Sequence, residues 1–514
     1  MARRCSGFSG PWPRFARAGG RALALYRFRH ALFRRWIYDG LDEGERRLGH
    51  ERAASAIEAV YAEARGEADT LLARHYAASG RPLRAAPYLV VAAERSGLLG
   101  APEEALASYD AALAVLDGVA PSPETDGLRR RVLEGRVRVA GLAGGFACDA
   151  VGDAIRRVRG ECAATGDEAG IVRALLLLAS HLGARGDSDG ARLAAEEARA
   201  RAEARSLRRE RREAVALLGV SEAMGGDLRQ ALDHFEAADG LREAAAEGPP
   251  SGHDPAIVAG VWGSLALLLV GRATRAEARA RETVAEARQR GNAYGAGLAM
   301  GFGLGMVLVV GRRAREAREI AGEVLARAET CGFPTLLAVG EFLRGAALAE
   351  GGDLEAGEAG LRRSIALLDA SGHRSGRSLC LGRLAEVLVA SDRGREALTT
   401  AEEAVRSAES CGERNFLPET LRIRAEAALS AGGDRREAVD GLRTALSAAR
   451  ERGTLLFELR CANALLGLGS RPGGGSRNPS RFMGQIRARF AEGFDLPDLR
   501  LSCSLLEGVG GCPA

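Results

Sequence analysis

One short pattern returns along this chain at nearly constant intervals, and nothing else in the sequence restricts the fold as much. Its last copy is Asp434-Arg-Arg-Glu-Ala438, and the closing alanine recurs upstream at Ala397, Ala356, Ala317, Ala278, Ala231 and Ala191. Subtracting neighbouring numbers gives a nearly even step, with one longer step between Ala231 and Ala278. Repeats of roughly 20–50 residues mark arrays of small supersecondary units stacked side by side. Asp227-x-x-Gln230, Thr274-x-x-Glu277 and Asp434-x-x-Glu437 match a helix capping box, in which side chains satisfy the unpaired N–H groups of a first turn. The alanine that follows is small enough for two helices of a hairpin to approach closely. Apolar residues then recur every three or four positions, as at Leu361, Ile365 and Leu368. Glycines such as Gly291, Gly332, Gly372, Gly412 and Gly453 end helices, where a left-handed residue suits the C-cap.

The expectation is an all-α chain: a tetratricopeptide-like α-solenoid of about eight to ten helical hairpins in a right-handed superhelix. At 514 residues it exceeds a single core. Residues 1–21, rich in Arg, Gly and Pro, are expected to be an irregular arm, residues 22–64 a junction and residues 65–470 the solenoid. Gly469 to Ser480 has a linker's composition, and residues 471–514 are expected to be that linker and a poorly ordered tail. Gly248 to Pro255 inserts a loop that accounts for the one long interval.

Composition excludes several activities. The chain has no lysine, so all 72 basic residues are arginine. A Walker A lysine, a kinase strand lysine and a Schiff-base lysine are therefore excluded. There is no His-Glu-x-x-His and no Gly-x-Ser-x-Gly, so no catalytic residue is assigned and the chain is expected not to be an enzyme. Net charge is +4 with the signs interspersed, and Arg208-Arg209-Glu210-Arg211-Arg212 reads as a solvated face, so no nucleic acid partner is expected. The nine cysteines form no Cys-x-x-Cys pair and read as buried thiols in a reducing, cytoplasmic setting. Residues 291–311 carry no charge and place Gly297, Gly301 and Gly305 at small-xxx-small spacing. Lying where a repeat's first helix belongs, this window is expected to be a buried solenoid helix, with no membrane involved.

The stretch Tyr26-Arg-Phe28-Arg-His30-Ala-Leu32-Phe-Arg-Arg35-Trp-Ile-Tyr38, followed by Arg46-Arg-Leu48-Gly-His50 and an Ala-rich helix, adds a family signal. It resembles the end of the ATPase module of STAND-class regulators, where a winged helix passes into superhelical repeats. Those include MalT-like activators and ATPases linked to cyclases or kinases. Ala73-Arg-His75-Tyr76 is similar to the family's first repeat. The resemblance implies a regulatory sensor half that binds a protein or effector, with a separately encoded ATPase as a partner. It also implies that His30 corresponds to a histidine near the nucleotide phosphates. Only a short arm precedes the motif here, so the ATPase is expected to be missing and His30 to be a structural residue at a helix start. The other expectation from the resemblance is a fragment of a multidomain ATPase with a kinase or cyclase. MalT-like activators end in a DNA-reading helix-turn-helix, and the tail shows none.

No cofactor and no metal site is expected. Asp187-Ser-Asp189-Gly190 lacks the ligand spacing of a calcium loop and reads as a helix cap. His50 and His75 read as packing or capping residues. Gly301-Phe-Gly303-Leu-Gly305 is not a dinucleotide fingerprint and follows no strand. Solenoids bind on the concave face lined by first helices. There Arg344, Arg383 and Arg424 form a candidate ladder for an acidic protein or peptide, or else pair with neighbouring glutamates.

Overall fold

The computed structural model describes residues 14–18, 21–25, 30–61, 68–120, 122–241, 254–469 and 479–508. They belong to two compact units, Met1–Gly97 with Glu103–Arg136, and Leu98–Pro102 with Val137–Ala514.

In the first unit, Arg14–Ala18 and Arg21–Leu25 pair as a two-stranded antiparallel ribbon with Arg14 opposite Leu25. Of the irregular arm expected over residues 1–21, only 14–18 and 21 lie among the described residues, and these belong to the ribbon. Alternation along Arg21-Ala-Leu-Ala-Leu25 suits a strand, whereas the Gly and Pro content points to a loop. Helices Ala31–Asp39, Glu43–Val60 and Asp69–Ala78 follow. Asp42 starts the second with a complete capping box, its carboxylate accepting from the Glu45 N–H at 2.8 Å while Glu45 accepts from the Asp42 N–H at 3.0 Å. Ala54, Leu72, Tyr76 and Ala85 are fully buried and form the small core of this unit.

The second unit is the solenoid. Its hairpins pair a first helix with a second: Glu168–Ala184 with Ser188–Ala204, Arg208–Gly225 with Leu228–Gly240, Pro255–Leu269 with Ala273–Gln289, and Ala293–Val310 with Ala314–Cys331. Pro334–Glu350 pairs with Leu354–Ala370, Arg377–Ala390 with Gly394–Ser410, and Leu417–Ser430 with Arg435–Glu451. The first helices Pro255–Leu269 and Ala293–Val310 are apolar almost all round, which is what an element enclosed between neighbouring repeats requires. The Ala293–Val310 window has a mean hydropathy of 1.8 and is 83% buried inside the unit, so its apolar surface is covered by protein. Leu336, Val339 and Leu343 of the next first helix point at the open places left by Gly297, Gly301 and Gly305.

The register of the repeat differs at two points from the sequence expectation. Counted four residues from each N-cap, the buried small positions are Ala191, Ala231, Ala276, Ala317, Gly357, Ala397 and Ala438. Ala278 is exposed and Ala356 only half-buried. Thr274 is not a cap either, since Arg272 holds that place with no side-chain bond. An Arg-rich turn hides the register, because Ala273, Ala276, Ala278 and Ala280 all compete for it. At Gly357 the two helices approach closely: a Cβ there would lie 2.7 Å from the Ala349 side chain, and one at Gly345 would lie 2.7 Å from the Leu361 backbone nitrogen. The predicted caps Asp187, Asp227 and Asp434 do accept from first-turn N–H groups. The C-cap glycines 291, 332, 372, 412 and 453 all adopt positive φ, between 65° and 68°.

The expected poorly ordered tail is corrected too. Pro479–Arg487 and Pro497–Gly508 are helices, and Phe482, Met483, Ile486, Phe490, Leu496, Leu499 and Leu506 bury their side chains. Pro479–Arg487 follows Leu455–Gly467 as a second helix would, and Pro497–Gly508 packs on Leu455–Gly467 as a further first helix would. The glycines around position 472 lower the apparent order of the whole terminus. Residues 470–478 lie outside the described ones.

Candidate functional site in the layer of first helices

The array coils far enough for distant repeats to touch. The Arg374 N–H donates to the Ala184 carbonyl at 2.9 Å, and the Arg414 N–H donates to the Met224 carbonyl at 2.8 Å. The two pairs share one separation along the chain, since 374 less 184 equals 414 less 224. Ser188 donates its hydroxyl to the Cys411 carbonyl at 2.8 Å beside them. Glu413, buried in the upper of these loops, accepts from the Gly376 N–H and the Ser378 hydroxyl, and burial raises its pKa. Backbone bonds of this kind link one turn of the coil to the next and give the carbonyls of the buried residues Ala184 and Met224 a partner.

Under the 374–375 loop lies a cavity of about 160 Å³. Its walls are Leu217, Val220 and Met224, Val258 and Trp262, and Tyr294, Leu298 and Phe302, from three successive first helices. Small residues of the preceding one, Ala179, Ser180, Gly183 and Ala184, leave the space open. Ser180 and Ser221 direct their hydroxyls to their own helix carbonyls, at 3.1 Å to Leu176 and 3.2 Å to Leu217. Phe146 is positioned by His181, whose Nδ1 lies 2.6 Å from the Phe146 carbonyl. His373 also lines the cavity, its buried Nδ1 has no hydrogen-bond partner among the described residues, and burial pushes its imidazole down to about 4. Among the described residues no charged side chain lines the cavity. Phe302 stands in a π-helical stretch, Ala299–Gly305, that interrupts the Ala293–Val310 helix. A π-turn carries one residue more than an α-turn and so rotates the side chains beyond it.

Further along the same layer the chemistry reverses. Arg422 bonds Glu386 at 2.6 Å, Glu419 at 2.8 Å and Glu426 at 2.6 Å, with its side chain only 6% exposed. Arg460 bonds Glu419 at 2.8 Å and Asp498 of the C-terminal helix at 3.0 Å, and also donates to the Val310 carbonyl. Arg383 bonds Glu350 at 3.0 Å and Glu386 at 2.5 Å. Arg312 reaches the same Glu350 and Glu386, at 3.1 and 3.2 Å. It does so from a left-handed conformation, φ 57°, at a hairpin turn where Gly186, Gly226, Gly271, Gly352 and Gly432 stand in other repeats. That conformation costs a non-glycine residue roughly 1–2 kcal/mol, offset here by the ion pairs. Burial alone would push the Glu419 carboxyl up, but Arg422 and Arg460 outweigh it and hold it below the usual carboxylate range. Glu386 is held well below that range against the same opposing effect of burial, by Arg383, Arg312 and Arg422.

The predicted ladder resolves as follows. Arg344 pairs with Glu341 at 2.6 Å and Arg383 joins the lattice. Arg424 is half-buried and forms no ion pair with the described residues. Sequence reasoning missed Arg422 and Arg460, whose only signal is a spacing of about one and two repeats from Arg383. It missed Arg312 as well, which an alignment of hairpin turns reveals as an arginine in a glycine's place. It also missed the cavity, whose walls come from several separate helices. His30 is exposed at the start of Ala31–Asp39, makes no capping bond and lies 6.0 Å from the Phe33 ring. His50 and His75 meet Nδ1 to Nδ1 at 2.9 Å, with the Tyr38 hydroxyl 2.9 Å from His50 Nε2. Among the described residues no three His, Cys, Asp or Glu side chains gather as metal ligands would.

Together these features define an α-solenoid of tetratricopeptide-like hairpins. The chain matches no protein-family profile and no curated protein. Among solved structures it is similar to a Rap protein complexed with competence and sporulation factor, at 10% identity over 80% of this chain and 98% of that one, TM-score 0.45. It is also similar to a chain of the APC/C hetero-tetramer Cut9–Hcn1, at 14% identity over 88% and 98%, TM-score 0.42. A STAND protein with a tetratricopeptide repeat sensor from Pyrococcus horikoshii matches at 12% identity over 75% of this chain and 52% of that one, TM-score 0.29. These likenesses concern fold alone, and the fold assignment rests on the helices themselves.

Proposed function

We propose that this chain is a non-catalytic, cytoplasmic scaffold and sensor, akin to the regulatory half of a STAND-class ATPase, that holds a protein or peptide on the concave side formed by its first helices. The observation that carries this reading is the unfilled apolar cavity in that layer, between Leu217, Trp262 and Phe302. Well-packed interiors leave few voids larger than a water molecule. A repeat array that keeps one on its inner helices has a surface fitted to something else. The test is a photo-crosslinking residue placed at Leu298, on the cavity wall, or at Arg406, exposed on a second helix. Exposed to lysate of its native host, the first should capture a discrete partner and the second should not. Equal capture at both positions would reject the assignment.

Residues 26–61 favour a second reading, in which an ATPase, alone or fused to a kinase or cyclase, acts with this chain or was once continuous with it. A Walker motif in the adjoining reading frame would support that arrangement. In that setting the ATPase itself is a candidate partner, and Arg344, Arg383 and Arg424 contribute to the charged side of the surface.

A further inference from the structure

The cavity has a definite size and polarity, and these define what can enter it. Its volume of about 160 Å³ is close to that of engineered apolar cavities of roughly 150 Å³, which stay dry and take up benzene. Its walls are mostly aromatic and aliphatic, with Thr335, Ser375 and His373 as further polar residues; Ser180 and Ser221 spend their hydroxyls on their own helices and Ser188 on the Cys411 carbonyl. A carboxylate or ammonium entering it would lose its hydration with no opposite charge to replace it. His373, held neutral by burial, supplies none. Trp262, Leu298 and Phe302 are only half-buried, so the space has a mouth on the layer of first helices. The π-stretch that sets Phe302 in this wall is an irregularity of a kind that clusters at functional sites.

We infer that this cavity is a binding site for one uncharged group about the size of an aromatic ring, lodged between Trp262, Phe302, Leu217 and Val258. The inference rests on the reading above, that the first-helix layer is the binding side, and adds the class of group recognised. The ring could arrive as a small neutral molecule or as an aromatic side chain of a peptide. In both cases the contact is the same: burial of an apolar ring in a preformed space.

Fluorine NMR titration of the full chain tests it with three probes. 4-Fluorophenol should bind saturably, and its charged counterpart 4-fluorobenzoate at least about tenfold more weakly, since each factor of ten is about 1.4 kcal/mol. N-acetyl-4-fluorophenylalaninamide decides the source: competition with 4-fluorophenol points to a peptide side chain, and none points to a free molecule. Gly183→Leu and Ser221→Leu each fill the space from the wall, and a Cβ at Gly183 has no neighbour nearer than 3.9 Å. Either variant, if helical by circular dichroism, should lower 4-fluorophenol affinity at least about tenfold. Should neither fold, Trp262→Ala widens the mouth and should shift preference about tenfold towards 6-fluoro-2-naphthol. Absence of saturable binding, benzoate binding as well as phenol, or indifference to these substitutions overturns the inference. A partner captured at Leu298 that ignores Ser221→Leu removes the ring site but keeps the scaffold reading. Ring binding with no captured partner does the reverse.

Discussion

Two stretches of the same helical layer meet burial in opposite ways. Between Glu168 and Val310 the first helices enclose a space walled by aromatic and aliphatic side chains, without a charge among the described residues. Between Pro334 and Gly508 they enclose Arg383, Arg422 and Arg460, interleaved with Glu350, Glu386, Glu419 and Asp498. The hairpins carrying the two are alike in the small residue of the second helix and, apart from Arg312 and Asp392, in the left-handed glycine of the turn. The difference teaches that backbone packing in such an array is set by the seam between paired helices, while the chemistry of the first-helix layer varies independently. It also predicts different failure modes, because a void tolerates change and a closed ionic lattice does not.

The largest effect should come from opening that lattice. Glu419→Ala leaves Arg422 and Arg460 short of a buried counter-charge, which typically costs about 3–5 kcal/mol. Urea unfolding should show that loss, and a change below about 1 kcal/mol would mean the lattice is hydrated and weak. Next comes the hairpin seam, common to both stretches. Ala397→Arg should cost about 3 kcal/mol through overpacking at a fully buried position. An unchanged melting temperature would refute the close-approach role. Asp498→Asn removes the counter-charge by which the C-terminal helix holds Arg460, and about 2 kcal/mol is expected, since bonds to charged groups are worth roughly 1.5–3. Hydrogen exchange should then rise first in Pro497–Gly508.

Acid separates the two stretches more finely. His373, pushed down to about 4 from 6.5, binds its proton less readily in the folded chain than in the unfolded one. Its contribution is therefore complete above pH 6.5 and is lost as pH falls from there towards 4. Glu386 and Glu419, held below the ordinary 4.5, contribute fully above that pH and lose their contribution only below it. Protection factors, taken relative to the intrinsic exchange rate at pH 7, 5.5 and 3.5, should therefore fall first around the cavity and only later in the lattice. The reverse order would show that His373 is solvated. The smallest effect belongs to Arg344→Ala, whose pair with Glu341 is partly exposed and should be worth less than about 1 kcal/mol.

Much of this was legible in the sequence. Helical hairpins, Asp caps, C-cap glycines and the buried character of residues 293–310 are local properties, each signalled within one or two turns of chain. Where the register was misread, at Ala278 and Ala356, several alanines or glycines stand within one turn of each other and only packing chooses between them. The tail was misread because glycines in one segment outweigh the apolar spacing of Phe482, Met483 and Ile486 in the next. Of the arginines singled out in sequence, Arg383 pairs within the lattice, whereas on the next first helix it is Arg422 that faces the lattice and Arg424, two positions on, that does not. A helix turns about 100° per residue, so a shift of two moves a side chain to another face.

By itself the sequence determined the repeating unit: which segments are helices, where they end and which flank of each is apolar, because those depend on neighbours three or four positions away. The tertiary structure decided how far the array coils and therefore what its first-helix layer encloses. Ala184 meets Arg374 and Met224 meets Arg414 only because small rotations between successive hairpins accumulate over all the repeats that separate them. The cavity and the ionic lattice follow from that accumulated geometry, to which every interface in the array contributes and no single stretch of sequence does.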